Sequence, residues 1–455
     1  MIIVISDLHL TDGTSGETIN AGAFRTFAEN LKRRVRDASW RPATDKTGET
    51  QGRFEAVDRC DVILLGDILD VIRSSQWVDS GDETMRPWGD LKAIAPMVLD
   101  ITKKILAKND ESLAYLRELA QRPVTIRDDR SGKEFAVPVY FHYFVGNHDW
   151  FYHVKGPAYN ETRKLIKDAM GLSNNPNQPF PHVLDEAPKA LQGLIRAHGV
   201  YLQHGDIWDD QNFEKLHGRD HSSIGDCIVV ELLNRFPGDV RAALNLDEQD
   251  PLFLLLKEID NVRPLTAVPE WMFGVLNRLH QPDVKRRILK LWEDRVDEFF
   301  RVPFVKDHDK FLQKDFVDFL QVALRLTRFL GEHNFRRLAV GVEKIQDLTS
   351  RGTPYWKFAA QEIALDYDGI NFVVYGHTHK PGVTPLDRIF EPGSIRVKAD
   401  KIYINSGTWR RVHQRCEVSR RDFEFVGAHV MTTVTFYRGT ERMGRRYETW
   451  TGLLD

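Results

Sequence analysis

Met1-Ile2-Ile3-Val4-Ile5-Ser6-Asp7-Leu8-His9 opens the chain: an apolar run, a serine, then an acid and a histidine two positions apart. A short apolar run that ends in polar residues predicts a strand buried on both faces of a layered sheet. The run is too short and its head not basic enough for a signal peptide, so residues 2–6 are expected to be structural. The same pattern returns at residues 62–66, 137–146, 200–204 and 372–376, where apolar runs end in loops rich in Asp, His, Asn and Gly. Further strands are expected at residues 401–404 and 429–437. Helical spacing lies between the runs, at residues 24–35 and 91–106. This alternation predicts an α/β sandwich whose functional loops sit at strand ends.

Residues 210–367 read differently. Leu312, Phe316, Phe319, Leu320, Ala323, Leu326 and Leu330 recur at helical spacing, as do Val284, Ile288, Leu291, Trp292, Val296 and Phe299. Pro264, Pro269, Pro282 and Pro303 punctuate the stretch. It is expected to be a large helical insertion, or cap, within an α/β domain made of residues 1–209 and 368–455. A smaller excursion covers residues 74–130, and residues 128–132 read as a turn between two strands.

The bulk numbers narrow the function classes. A net charge of −3 over 455 residues gives no global basic field, which disfavours a long nucleic acid as the main partner. Three dispersed cysteines, Cys60, Cys227 and Cys416, form no CxxC pair, so a reducing, cytoplasmic setting is expected. No apolar stretch approaches the ~20 residues of a membrane span.

Five motifs end the five apolar runs. Asp7-Leu8-His9 can turn two donors toward one ion. In Gly66-Asp67-Ile68-Leu69-Asp70, the glycine lets the backbone approach a ligand, and a carboxylate can bridge two cations with its two oxygens. Gly146-Asn147-His148-Asp149 offers an amide oxygen beside a histidine able to donate a proton or steady an oxyanion. His204-Gly205-Asp206 adds a histidine, and Gly376-His377-Thr378-His379 adds two at i and i+2. Taken singly, each fits an ordinary turn or helix cap. All five at strand ends point to one site of O and N donors without thiolate, suited to Mn, Fe or Zn.

Together these motifs resemble those of the calcineurin-like metallophosphoesterase superfamily. The resemblance covers residues 1–205 and 370–455, not the helical stretch. It implies a four-layer α/β/β/α sandwich with two divalent metal ions, manganese first, with iron or zinc as alternatives. Asp7, His9, Asp67 and His379 would hold one ion and Asp67, Asn147, His204 and His377 the other, with Asp67 bridging. His148 matches the catalytic histidine and Asp70 the carboxylate that orients it. Ile5-Ser6-Asp7-Leu8-His9-Leu10, Gly376-His377-Thr378-His379-Lys380-Pro381 and Asn405-Ser406-Gly407-Thr408-Trp409 look like the UDP-2,3-diacylglucosamine hydrolase branch. His148, where that branch usually has arginine, and the large insertion depart from it. Phosphoprotein phosphatases usually read GDxxDRG and GNHE; here Val71-Ile72 follows Asp70, and Asp149 ends the third motif.

The expected activity is therefore hydrolysis of a phosphodiester or pyrophosphate, on a small or amphipathic, nucleotide-linked kind of substrate. A nuclease and a phosphomonoesterase or protein phosphatase are the alternatives, with a non-catalytic scaffold as a third. Arg410 and Arg411, just past residues 405–409, are expected either to hold a substrate phosphate or to form a solvated face. Trp208, Asp209 and Asp210 are expected to line the pocket or to serve packing and capping. His142, His182, His217 and His221 lack paired spacing and read as structural.

Overall fold

Alternation along the first strand decides the layering. The computed structural model describes residues 1–44, 50–263, 267–311, 354–364, 369–386, 401–419 and 422–454. In the strand Ile2–Ile5, the side chains of Ile2 and Val4 pack into one apolar cluster and those of Ile3 and Ile5 into another. Successive strand residues point to opposite faces, so one sheet builds two cores.

That sheet runs in the order Arg411–Ser419, Asp422–Phe436, Ile2–Ile5, Cys60–Leu65, Val139–Phe144, with Tyr447–Leu453 paired to Asp422–Phe436. Ile2–Ile5, Cys60–Leu65 and Val139–Phe144 are mutually parallel. A second sheet runs Gly382–Pro385, Ile402–Asn405, Phe372–Tyr375, Val200–Leu202, and its last three strands are also parallel. Ile2, Val4, Ile63, Leu65 and Phe144 share a cluster with Val200, Leu202, Phe372 and Ile404 of the second sheet. The opposite face packs on helices, through Phe24 and Phe27 of Ala21–Ala38 and Ile94 and Val98 of Leu91–Lys108. Asn20 and Asp90 cap these two helices by accepting backbone N–H groups at their first turns. The chain is thus a mixed α/β protein with parallel and antiparallel pairing. No helix among the described residues is long and apolar enough to cross a membrane.

Details shift the expected boundaries. The apolar run at residues 137–146 divides at Pro138, which lacks an N–H, leaving Val139–Phe144 in the sheet. Glu134–Val137 instead pairs with Val124–Arg127, so the turn at residues 128–132 joins an antiparallel hairpin.

Within residues 210–367 the described residues form helices and turns and no strand. Pro282 starts the helix Pro282–Phe299 and Pro303 starts Pro303–Phe311. Val230, Phe236, Ile259, Trp292 and Phe299 of this stretch join the same apolar cluster as Ile3 and Phe24. Its core is therefore continuous with the helix face of the first sheet. The pattern from Leu312 to Leu330 and Pro264 lie outside the described residues.

Candidate metal centre

All five motif loops lie at the carboxyl ends of parallel strands, which is where open α/β sheets bind ligands. The loops are stitched to one another. Asp7 N donates to Gly66 O at 3.1 Å, and His9 N donates to Asp67 O at 2.8 Å. Asp149 accepts from Ile68 N at 2.9 Å, Gly146 N at 2.6 Å and Tyr143 OH at 2.6 Å, tying the second and third motifs together. At Gly66 (φ 81°) a Cβ would stand 2.5 Å from His204 Nδ1, so only glycine fits.

The backbone is strained where the donors are. Eight non-glycine residues among the described residues have positive φ, and five are Asp7 (53°), His9 (46°), Asp67 (53°), His377 (65°) and His379 (59°). Each such residue costs about 1–3 kcal/mol and persists only when its surroundings over-determine it. The strain turns these side chains inward.

The side chains converge in three overlapping groups: Asp7 with His9 and His379, Asp67 with His204 and His377, and between them His9 with Asp67 and His148. Asp67 Oδ2 lies 3.1 Å from His204 Nε2 and 3.7 Å from His9 Nε2, so it faces both of the first two. Asp7 spans them too: its Oδ1 is 3.4 Å from His379 Nε2 and 3.9 Å from His204 Nε2. His9 Nε2 and His379 Nε2 are 3.0 Å apart. Asn147 Oδ1 lies 3.0 Å from His377 Nδ1.

Each of three rings has its other nitrogen committed to an oxygen. His9 Nδ1 donates to Asp70 Oδ2 at 2.9 Å, His204 Nδ1 to Leu65 O at 2.8 Å and His377 Nε2 to Asp209 Oδ2 at 3.1 Å. In the neutral ring the inner nitrogen then bears a lone pair, as in a metal-bound histidine with an outer acceptor. Those lone pairs meet carboxylate and amide oxygens, which are electron-rich as well. His204 Nε2 is buried and has no hydrogen-bond partner. Two carboxylates, an amide oxygen and several imidazole nitrogens in such contact fit a cation between them, and the donor set is that of a hard-to-borderline divalent ion.

Electrostatics separates the histidines. Burial holds His9 below its usual range, and burial with the nearby Arg263 charge holds His379 well below it, so both are neutral donors. Burial opposes a charge on His148 too, but Asp70 and Asp67 outweigh it and push His148 up to about 10. Its Nδ1 donates to Asp70 Oδ1 at 2.8 Å. Burial raises Asp70, yet the His148 and His9 rings hold it well below the carboxylate range. Burial raises Asp7, and the Asp67 charge raises it further. Burial opposes a charge on His204 as well, and there too Asp67 and Asp7 outweigh it and hold the ring well above its usual range. What sets His148 apart is its partner: its Nδ1 rests on the Asp70 carboxylate, whereas His204 Nδ1 rests on a backbone carbonyl.

The structure thus brings Asp7, His9, Asp67, Asn147, His204, His377 and His379 together, with His148 and Asp70 alongside. Of the two arginines, Arg410 lies behind the site, its Nη1 3.9 Å from Asp70 Oδ2, and Arg411 points away from it. Arg410 is buried and donates to Asp260 Oδ2 at 2.8 Å. Arg411 is exposed and lines a groove of ≈ 1490 Å³, with Lys108, Arg241, Lys257 and His413 among its walls and no candidate ligand. Asp209 proves to hold His377, and Trp208 stacks on Phe358 with ring centroids 4.5 Å apart. His142 pairs with Asp61, and His182 with Arg219. Asp260, Arg263 and Asp209 come from the helical stretch or its root. Only the position of Asp209, five residues past His204, could have signalled a role.

Comparison with known proteins returns no matching family model and no matching curated protein.

Proposed function

We propose that this chain is a metal-dependent phosphoesterase of the calcineurin-like kind, holding two divalent cations in a four-layer α/β/β/α domain formed by residues 1–209 and 368–455. The observation that carries the reading is the set of adjoining His and Asp groups, faced by Asp67, with His148 held on Asp70 beside them. Asp7, His9, Asp67 and His379 would hold one cation and Asp67, Asn147, His204 and His377 the second. Bound cations supply Lewis acidity and lower the pKa of an attacking water. Manganese is the first choice of metal, with iron or zinc next.

The chain's own residues do the rest. His148 presents Nε2 to the reacting phosphate while Nδ1 is fixed on Asp70. Held protonated, it gives a proton to the leaving oxygen or donates a hydrogen bond to an equatorial one. Asp70 keeps the ring's tautomer and direction. Asp209 and the Leu65 carbonyl orient His377 and His204. The substrate class proposed is a small or amphipathic phosphodiester or pyrophosphate, because the helical stretch is rooted beside His204 and returns beside His377 and so crowds the approach of a long polymer.

A hydrolysis panel on manganese-loaded protein tests this reading, with nitrophenyl phosphodiesters and monoesters, nucleotide-linked pyrophosphates, cyclic nucleotides and single-stranded and duplex DNA. Turnover of the small diesters or pyrophosphates is expected. Rapid DNA degradation without them would replace the reading with a nuclease, and no turnover of any ester would sink it.

A further inference from the structure

A buried ion pair reaches from the helical stretch to the carboxylate that holds His148. Asp260 sits in the short 3-10 turn Glu258–Asn261 and is 2% exposed. Its Oδ2 accepts from Arg410 Nη1 at 2.8 Å, and the same Nη1 lies 3.9 Å from Asp70 Oδ2. Asp70 in turn accepts from His148 Nδ1 and His9 Nδ1. Arg73 backs the arrangement: its Nε is 3.6 Å from Asp260 Oδ2, its Nη1 donates to Asn234 Oδ1 at 2.9 Å, and its backbone N donates to Asp70 Oδ1 at 3.1 Å.

The turn is pinned to the strand that follows Arg410. Val262 bridges to His413, and Arg263 N donates to His413 O at 3.2 Å. Backbone pairing thus sets where Asp260 stands relative to Arg410. The physical need is plain. Asp70 accepts on both oxygens, from His148 Nδ1 and Arg73 N at Oδ1 and from His9 Nδ1 at Oδ2. The Arg410 charge 3.9 Å from Oδ2 balances this buried carboxylate and biases its setting between the two rings, but a long guanidinium side chain is itself free to swing. Asp260 takes that freedom from Arg410 by a charge-assisted bond in a water-poor site, where such bonds are strong and directional.

We propose that Asp260 is a positioning residue: acting through Arg410, it fixes Asp70 and so aims the His148 ring, making the catalytic pair depend on the docked helical stretch. This rests on the phosphoesterase reading above. It also gives Arg410 a role other than substrate binding.

The test uses full-length, manganese-loaded protein and bis(p-nitrophenyl) phosphate. Asp260→Asn is expected to lower kcat by about 10–100-fold, the usual scale for an outer partner of a site residue. KM and metal content should stay at the wild-type values, and Asp260→Glu should recover part of the rate. A merely structural ion pair would not produce that split. In parallel, ¹⁵N-histidine NMR follows the His148 imidazole N–H, identified by its absence in His148→Gln; in Asp260→Asn this resonance should shift or broaden. The resonance decides the proposal even if wild-type protein hydrolyses no diester, an outcome that would count against the phosphoesterase reading alone. Folded Asp260→Asn with wild-type kcat and an unmoved resonance, or with lost metal, overturns the proposal. Should Asp260→Asn fail to fold, Arg410→Lys carries the same expectations and the same contrary outcomes.

Discussion

The strand-end loops and the seam with the helical stretch are both buried, yet they are held by different forces. At the strand ends, apolar side chains such as Ile2, Val4, Ile63 and Leu65 anchor the strands that lead into Asp7 and Asp67. Across the seam, apolar packing is joined by charge. Arg86 pairs with Glu231 at 2.6 Å, Arg410 with Asp260 at 2.8 Å and His153 with Asp220 at 2.6 Å, and Arg219 pairs with Asp206. Apolar packing is non-directional and indifferent to pH. A buried ion pair is directional and costly to break by halves. The difference teaches a division of labour: the sheets supply a rigid floor on which strained loops hold donors, and the seam steers the groups that orient them.

The strongest way to break this picture is at the floor. Asp67→Asn removes a carboxylate that faces both His groups, so metal should be lost from both and hydrolysis should fall to background. Elemental analysis and the diester assay check this; retention of a full metal complement would show that Asp67 is not shared. His148→Ala comes next. It should keep its metal while kcat drops by roughly 10²–10⁴-fold, the scale of a positioned proton donor.

Trp409 probes the floor without touching a donor. It is fully buried between Phe24 and Phe27, with ring centroids at 5.5 and 5.4 Å, and its Nε1 donates to Thr432 O at 2.8 Å. Trp409→Ala should cost about 3–5 kcal/mol in denaturant unfolding. A much smaller loss would mean that the loop at residues 405–409 is held by its hydrogen bonds alone.

The seam should give smaller effects. Asp209→Asn weakens the grip on His377 Nε2 and should loosen metal binding by about 10–100-fold, read by chelator competition. The mildest effect is a pH dependence. Burial disfavours a charge on His153, but Asp220 and Glu186 outweigh it and push His153 up to about 9. The folded value exceeds the unfolded one, near ~6.5, so this pair stabilises fully below that pH and loses its contribution as pH rises through 9. Thermal melts across that window should flatten in Asp220→Asn. An unchanged slope would remove His153 from the seam.

The sheet core and most of the candidate donors were legible in the chain itself, because both are short-range signals. A buried strand is written in a handful of consecutive apolar residues, and a loop donor at its end is written in the next one or two, as in Ile5-Ser6-Asp7-Leu8-His9. Pro282 and Pro303 marked helix starts for the same local reason. What the sequence left open are pairings between residues far apart along the chain. Asp260 meets Arg410 across 150 positions, and Asp209 meets His377 across 168. Nothing in the neighbourhood of Asp260 distinguishes it from a surface carboxylate, and the place of Asp209 just past His204 signals nearness to the site but not its partner. Arg410 and Arg411, adjacent and alike in sequence, end on opposite terms, one buried against Asp260 and the other exposed along a groove. Successive residues entering a strand point to opposite faces, and only the packing of the helical stretch decides which face is closed to water.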